Sequence, residues 1–353
     1  MSRKIILVLF GGESSEHEIS RLSAVSVLRS IDRGDYDVVT AGIRKDGSWF
    51  LTEAGLSAIA DGSWEKDKSN APLSLSLDRE NPGFRCVTEE GEKTLAVDAV
   101  FPVLHGKYGE DGTVQGMLRT AGIPFVGSDT KTSAACMDKG LAKALVEQAE
   151  AANMAKCCIL YRIGCDPAEA AEGVEEFFRG EYPLFVKPAA SGSSVGISKV
   201  RTREELIAGI GVAFAEDSKI LVEEAIIGRE LEVAVLGNDS PRVTAAGEII
   251  SANEFYDYEA KYQDRGSRTE TAQGLSPDKQ EEIRETAIRI YRIMECRGLA
   301  RVDFFLQEDG KLVFNEINTM PGFTEISMYP QLWQTEGMSC GELVGHLIRL
   351  ALE

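Results

Sequence analysis

Arg301-Val-Asp-Phe-Phe-Leu-Gln-Glu-Asp-Gly-Lys-Leu-Val-Phe-Asn-Glu-Ile-Asn318 decides how this chain is read. Asp309-Gly310 lies between two β-type runs, a strong short-range signal for a two-residue hairpin turn. With Glu308 facing Lys311, Phe305 faces Phe314, Asp303 faces Glu316 and Arg301 faces Asn318. Side chains alternate along a strand, so Arg301, Asp303, Glu316 and Asn318 emerge on one face, far from the turn. Two carboxylates opposed at about 5 Å repel unless a cation lies between them or water solvates both. Oxygen ligands of this kind suit Mg²⁺, which commonly takes one or two carboxylates plus phosphate oxygens. The same four residues fit equally well an exposed edge pair neutralised by Arg301.

Working outward, Glu230–Leu236 alternates Leu231, Val233 and Val235 on one face, as a half-buried strand does. Ser276-Pro277 opens a helix with Ile283, Ala287, Ile290 and Met294 at helical spacing, closed by Arg297-Gly298. Upstream, a helical pattern runs from Thr132 to about Ala151. Strand-like Pro183–Lys187 and Val195–Val200 then flank a small-residue loop, followed by a helix near 202–215 and a strand at Ile220–Glu223. At the N-terminus, the apolar run of residues 4–10 ends at Gly11-Gly12 and leads into a helix from about Glu18 to Ile31. Tyr36–Ile43, Ala99–Leu104 and Pro124–Gly127 read as further strands, and residues 57–95 as a polar insertion. The pattern predicts three packed domains: 1–128 open α/β, 129–225 α+β, and 226–353 carrying the charged hairpin.

Composition narrows the function. The chain has 353 residues, with 38 Lys plus Arg against 57 Asp plus Glu, a net charge of −19 that repels nucleic acid and anionic lipid. A few convergent cations can still make a local pocket for a small anion. No apolar run approaches the roughly 20 residues of a membrane helix, which predicts a cytoplasmic protein. The seven cysteines lack CxxC spacing and the three histidines are scattered, so reduced, buried thiols and no zinc site are expected.

Lys187-Pro-Ala-Ala-Ser-Gly-Ser-Ser-Val-Gly196 places a lysine at a strand end before a loop whose N–H groups and hydroxyls can surround phosphate oxygens. It is neither a P-loop nor a Rossmann fingerprint. Lys139 and Lys261 could reach the same anion. Glu223 and Glu230 stand near strand ends, where a carboxylate can accept from a ribose hydroxyl or an adenine amine. Taken alone, each of these fits a solvated surface residue as well, and Glu16 fits a helix-start acid complementing the dipole, with His17 and Glu18 as exposed neighbours.

As an ordered set, the motifs resemble the D-alanine:D-alanine ligases of the ATP-grasp superfamily. They are Gly11–Ser20 (GGESSEHEIS), His105–Gly116 (HGKYGEDGTVQG), Met137-Asp-Lys139, Lys187-Pro with Gly192–Gly196 (GSSVG), Tyr256–Tyr262 (YDYEAKY), Arg301-Val-Asp303, and Glu316–Gly322 (EINTMPG). They span residues 11–327 in family order. The resemblance implies an α/β class, with an N-terminal open α/β domain before two ATP-grasp subdomains. It also implies ATP and two Mg²⁺ (or Mn²⁺) as cofactors, D-alanine as the substrate, a homodimer, and a place in peptidoglycan precursor synthesis. Lys139, Lys187 and Lys261 would hold the ATP phosphates, Glu223 the adenine side and Glu230 the ribose. Asp303, Glu316 and Asn318 would hold the metals; Arg301 and the N–H of Gly322 would stabilise the oxyanion. Glu16 would bind the first D-alanine's ammonium with His105 beside it, Ser193 and Tyr262 would link to Glu16, and Ser327 would take the second substrate's carboxylate.

Two other readings compete with this one. D-serine as second substrate differs from D-alanine by one hydroxyl, which motifs do not exclude, whereas the Tyr256–Tyr262 motif argues against D-lactate. A catalytically silent nucleotide-binding regulator of the same fold would not need Arg301, Asp303, Glu316 and Asn318 together.

Overall fold

The computed structural model describes residues 3–88, 91–192, 194–250 and 268–353. Its first sheet has seven strands, running in space Gly91–Leu95, Gly83–Thr88, Ala71–Ser76, Trp49–Leu51, Tyr36–Ile43, Lys4–Gly11 and Ala99–Val103. The last three are mutually parallel, with Lys4–Gly11 in the middle. This explains why Lys4–Gly11 is a continuous apolar run. Ile6, Val8 and Phe10 enter one core while Leu7 and Leu9 enter another, so both faces are buried. Helix His17–Ser30 makes the crossover.

Residues 57–95 are more than a polar insertion. They supply a helix at Leu56–Asp61 and the three antiparallel outer strands of this sheet. Most of their described polar residues face water, Ser76 excepted, while Leu73, Phe84 and Cys86 are buried. Pro124–Gly127 contributes only an isolated bridge, Val100 to Phe125, rather than a strand.

The second sheet is antiparallel throughout, in the order Ser198–Val200, Leu184–Pro188, Lys219–Glu224, Cys157–Tyr161. Helices Pro167–Phe178 and Arg203–Glu216 share its core. The third sheet runs Arg268–Thr271, Gly247–Ile250, Arg229–Leu236, Leu299–Leu306, Leu312–Asn318, Asn153–Met154, with Arg242–Val243 paired to Arg229–Leu236. Arg229–Leu236 is covered on both faces, not half-buried. Leu231, Val233 and Val235 meet helix Pro277–Ile293, whereas Ala234 and Leu236 join the N-terminal core. The third sheet and the N-terminal sheet thereby share one hydrophobic core, which fixes the two faces of the site relative to each other.

Two helices differ in extent from expectation. The predicted Thr132–Ala151 helix is two, Thr130–Met137 and Lys139–Gln148, broken at Asp138. There the backbone is extended (ψ 101°), and the Asp138 carboxylate accepts from the Leu141 N–H, a capping bond that competes with helix continuation. Pro277–Ile293 begins as expected, capped by Ser276, but stops before Arg297-Gly298, at Met294. Of the cysteines, all seven are free; Cys86, Cys136 and Cys296 are buried, while Cys157, Cys158, Cys165 and Cys340 are only partly covered. Among the described residues, no helix is long and apolar enough to cross a membrane.

Candidate active site

The charged hairpin has the expected partners at its functional end and different ones near its turn. Arg301 faces Asn318 and Asp303 faces Glu316, but Phe304, not Phe305, faces Phe314. Gln307 N–H donates to Lys311 O and Gly310 N–H to Gln307 O, so the loop is three residues long, with Gly310 left-handed (φ 85°). That loop shifts the register by one. Asn315 then stands as an extra residue between the Asp303–Glu316 and Phe304–Phe314 pairs, and this bulge shifts it back. The two departures cancel at the carboxylates.

One cavity of about 800 Å³ lies between the three sheets. Twelve of the residues singled out from sequence line it: Glu16, His105, Lys139, Lys187, Glu223, Glu230, Arg301, Asp303, Glu316, Asn318, Gly322 and Ser327. Ser193, Lys261 and Tyr262 lie outside the described residues, as does the whole Tyr256–Tyr262 motif.

On the antiparallel sheet, Lys187 Nζ donates to Glu223 Oε2 at 2.8 Å, and Lys143 Nζ is 3.2 Å from Glu223 Oε1. Burial opposes the Glu223 charge, but the two ammonium groups prevail and hold its carboxyl down at about 2. Lys187 is correspondingly raised: burial works against it, and Glu223 outweighs burial. Lys139, first residue of its helix, donates Nζ to Ser191 O at 2.9 Å and sits 3.3 Å from Glu316 Oε2, tying the small-residue loop to the hairpin. Its backbone N–H donates to Ala189 O.

On the hairpin, Arg301 grips Asp303 through two bonds, Nε to Oδ1 at 2.8 Å and a terminal nitrogen to Oδ2 at 2.7 Å. Glu232 Oε2 lies 3.2 Å from Arg301 Nε. Burial opposes the guanidinium charge, and Asp303 and Glu232 overcome it, so Arg301 stays charged. Asn318 Oδ1 accepts from Met320 N–H at 2.9 Å. Two carboxylates and one amide oxygen on adjacent strands are a hard-oxygen set that fits Mg²⁺, with phosphate and water completing its six positions. Among the described residues no cluster of three or more His, Cys, Asp or Glu side chains offers a fuller cage.

At the N-terminal end, Glu16 is buried (7% exposed) and does not cap its helix. Its carboxylate is wedged between two glycines of different loops: a Cβ on Gly106 would meet Glu16 Oε2 at 2.6 Å and one on Gly192 at 2.3 Å. His17 is buried too, with Nδ1 2.8 Å from Gly12 O, so neither is the exposed helix-start residue its position suggests. His105 is enclosed between Ser23 Oγ (3.0 Å from Nε2) and Met320 O (3.2 Å from Nδ1), with Glu110 3.5 Å away. Burial resists its charge, yet the Glu110 hydrogen bond and charge, with Glu16 behind, raise it. Ser23 Oγ also accepts from Phe323 N–H, so His105 and the Gly322 loop hang on one hydroxyl. Ser327 Oγ accepts from Thr324 N–H at 3.0 Å and would stand 2.8 Å from a Cβ on Gly322.

Sequence reasoning missed Lys143, Glu232, Glu110 and Ser23. Lys143 was findable, since it stands four residues after Lys139 on the same helix face. Glu232 carried a signal as an acid set between Leu231 and Val233, inside the apolar part of its strand.

A cavity between a lysine-bearing antiparallel sheet and a carboxylate-bearing one, joined to an open α/β domain, defines an ATP-grasp enzyme. Family profiles described as D-ala D-ala ligase N-terminus and C-terminus match residues 5–128 and 152–349. The chain is 45% identical to "D-alanine--D-alanine ligase B" of Clostridium tetani, over 100% of this chain and 94% of that one. It is also 45% identical to "D-alanine--D-alanine ligase" of Clostridium novyi, over 99% and 98%. Among solved structures it is similar to the VanG D-Ala:D-Ser ligase of Enterococcus faecalis (39% identity, TM-score 0.89, 99% and 100% covered). The D-alanine-D-alanine ligase of Coxiella burnetii gives 34%, 0.87, 100% and 94%. The chain belongs to the D-ala D-ala ligase family.

Proposed function

We propose that this protein joins two D-alanines, at the expense of ATP, into D-alanyl-D-alanine for peptidoglycan precursors. The observation that carries this reading is the single cavity in which Lys187 and Glu223, the Arg301–Asp303–Glu316 group and Glu16 converge. The first D-alanine's carboxylate attacks the γ-phosphorus of ATP; ADP leaves and an acyl phosphate forms. The second D-alanine's amine, after losing a proton, attacks the acyl carbon. The tetrahedral intermediate collapses with loss of phosphate.

Lys139 and Lys187 hold phosphate oxygens in this reading, assisted by Lys261, with Glu223 and Glu230 on the adenosine. Asp303, Glu316 and Asn318 hold two Mg²⁺ (or Mn²⁺), which when bound neutralise charge on the transferring phosphoryl group. Arg301 and the Gly322 N–H stabilise the oxyanion, a donor of that kind contributing about 2.7 to 4 kcal/mol. Glu16, beside His105, takes the first ammonium, Ser193 and Tyr262 link to Glu16, and Ser327 takes the second carboxylate. The reading includes the division into 1–128, 129–225 and 226–353 and a cytoplasmic location, as the sequence pattern predicts, and a homodimer, as the resemblance implies.

The likeness to a D-Ala:D-Ser ligase favours a second reading, D-serine as the second substrate. One assay separates them: ADP release measured with D-alanine alone, with D-alanine plus D-serine, and with D-alanine plus D-lactate. Brisk release with D-alanine alone and a D-alanyl-D-alanine product is expected. Release that needs D-serine favours the second reading, and none under any condition overturns both in favour of a nucleotide-binding regulator.

A further inference from the structure

Asp303 is claimed twice. In the structure both of its carboxylate oxygens accept from Arg301. Each oxygen keeps a second lone pair, so Asp303 can ligate a metal without leaving Arg301 altogether, but a cation on that carboxylate competes with the guanidinium for its charge, and a buried guanidinium whose partner is weakened is costly to keep. The third sheet contains an answer. Glu232 on Arg229–Leu236 is directly opposite Asp303, and Asp303 is directly opposite Glu316, so three carboxylates lie in line across three adjacent strands. Glu232 is 5% exposed in a strand whose neighbours Leu231 and Val233 are fully buried, a place where an acid needs a cationic partner. Arg301 Nε is 3.2 Å from its Oε2. The guanidinium fork has donors enough to hold one carboxylate while leaving another.

We propose that Glu232 is a positioning residue that keeps Arg301 in place while Asp303 is handed over to the metal. It touches neither metal nor substrate in this scheme; it acts through Arg301. The proposal rests on the reading of Asp303 and Glu316 as metal ligands. Without Glu232, Arg301 is left to Asp303 and, more weakly, to Glu316, so it holds the metal-facing carboxylates against the metal.

The test is Mn²⁺ binding to the full chain in the presence of ADP, followed by electron paramagnetic resonance of free Mn²⁺. Glu232→Gln, close in shape, is expected to weaken Mn²⁺ about tenfold and to raise half-saturating Mg²⁺ in turnover by a similar factor, with the KM for D-alanine within about twofold. Losing a nearby negative charge would also weaken the metal through space, so the background matters. Arg301→Gln frees Asp303 and is expected to tighten Mn²⁺, and adding Glu232→Gln to it should then change the affinity less than about twofold. Arg301→Met serves as that background should Arg301→Gln fail to fold. Unaltered Mn²⁺ affinity in Glu232→Gln, or an equal loss in both backgrounds, overturns the hand-over. Asp303→Asn marks the deeper failure: if it leaves Mn²⁺ binding intact, the metal reading falls and this proposal with it.

Discussion

Lys187 and Glu223 stand diagonally across adjacent antiparallel strands, with Nζ and Oε2 2.8 Å apart and Lys143 closing the other side of the carboxylate. Glu223 is therefore not a free acceptor awaiting a base. It is the shared counter-ion of two buried lysines, and both its acid–base behaviour and its availability to a nucleotide depend on them.

That arrangement sets a pH dependence. The Glu223 carboxyl is depressed from an ordinary 4.5 to about 2 in the folded protein, so its stabilisation is complete above the unfolded value and is lost as pH falls through the window between the two. The amount is on the order of 3 kcal/mol. Glu223→Gln should be less stable than the natural protein by roughly that much at pH 7, with the gap closing between pH 4.5 and 2. Urea unfolding of both proteins across that range measures it; a gap independent of pH would show that Glu223 is not held ionised by its lysines.

Lys187→Ala should raise the KM for ATP far more than that for D-alanine. One lost charge-assisted contact of about 1.5 to 3 kcal/mol corresponds to roughly 10- to 150-fold. Steady-state kinetics with each substrate varied in turn gives the split, and equal KM values for ATP in the two proteins would remove Lys187 from the phosphate site.

Gly192→Ala tests Glu16 without straining the backbone, because Gly192 does not have the positive φ of Gly106. Its new methyl would meet Glu16 Oε2 at 2.3 Å, so the carboxylate must move. The expected result is a KM for D-alanine raised about tenfold or more, the scale of one misplaced charged hydrogen bond. Nucleotide affinity, read by calorimetry with ADP, should stay near that of the natural protein. A loss confined to ADP would place Gly192 with the phosphates instead.

The hairpin register predicts opposite outcomes for two neighbouring phenylalanines. Phe304 is fully buried, edge-on to Phe314 with ring centres 6.3 Å apart, while Phe305 lines the cavity. Phe304→Ala should cost about 3 to 5 kcal/mol in denaturant unfolding. Phe305→Ala should cost clearly less and show its effect in ATP affinity. Reversed magnitudes would restore the uniform two-residue-turn register.

The local chemistry of the chain was legible in sequence wherever it depended on neighbours along the chain. Ser276-Pro277 marked a helix start, the apolar run of residues 4–10 marked a strand, and alternation put Arg301 with Asp303 and Glu316 with Asn318 on one face. Motif order then indicated the family. The details that set charge and register came from elsewhere. Asp138 breaks a continuous helical pattern because its side chain captures the next helix's N–H, and Asn315 undoes a shift made by the Gly310 loop. Glu232 reads as the polar side of a half-buried strand until the third sheet sets it opposite Asp303, and Glu16 reads as a helix-start acid until two distant loops close on it. A sequence specifies which residues can form a strand or a cap, since those choices are decided within a few residues. Which carboxylate faces which cation depends on contacts between strands and loops far apart in the chain, and only their packing around a common core decides them.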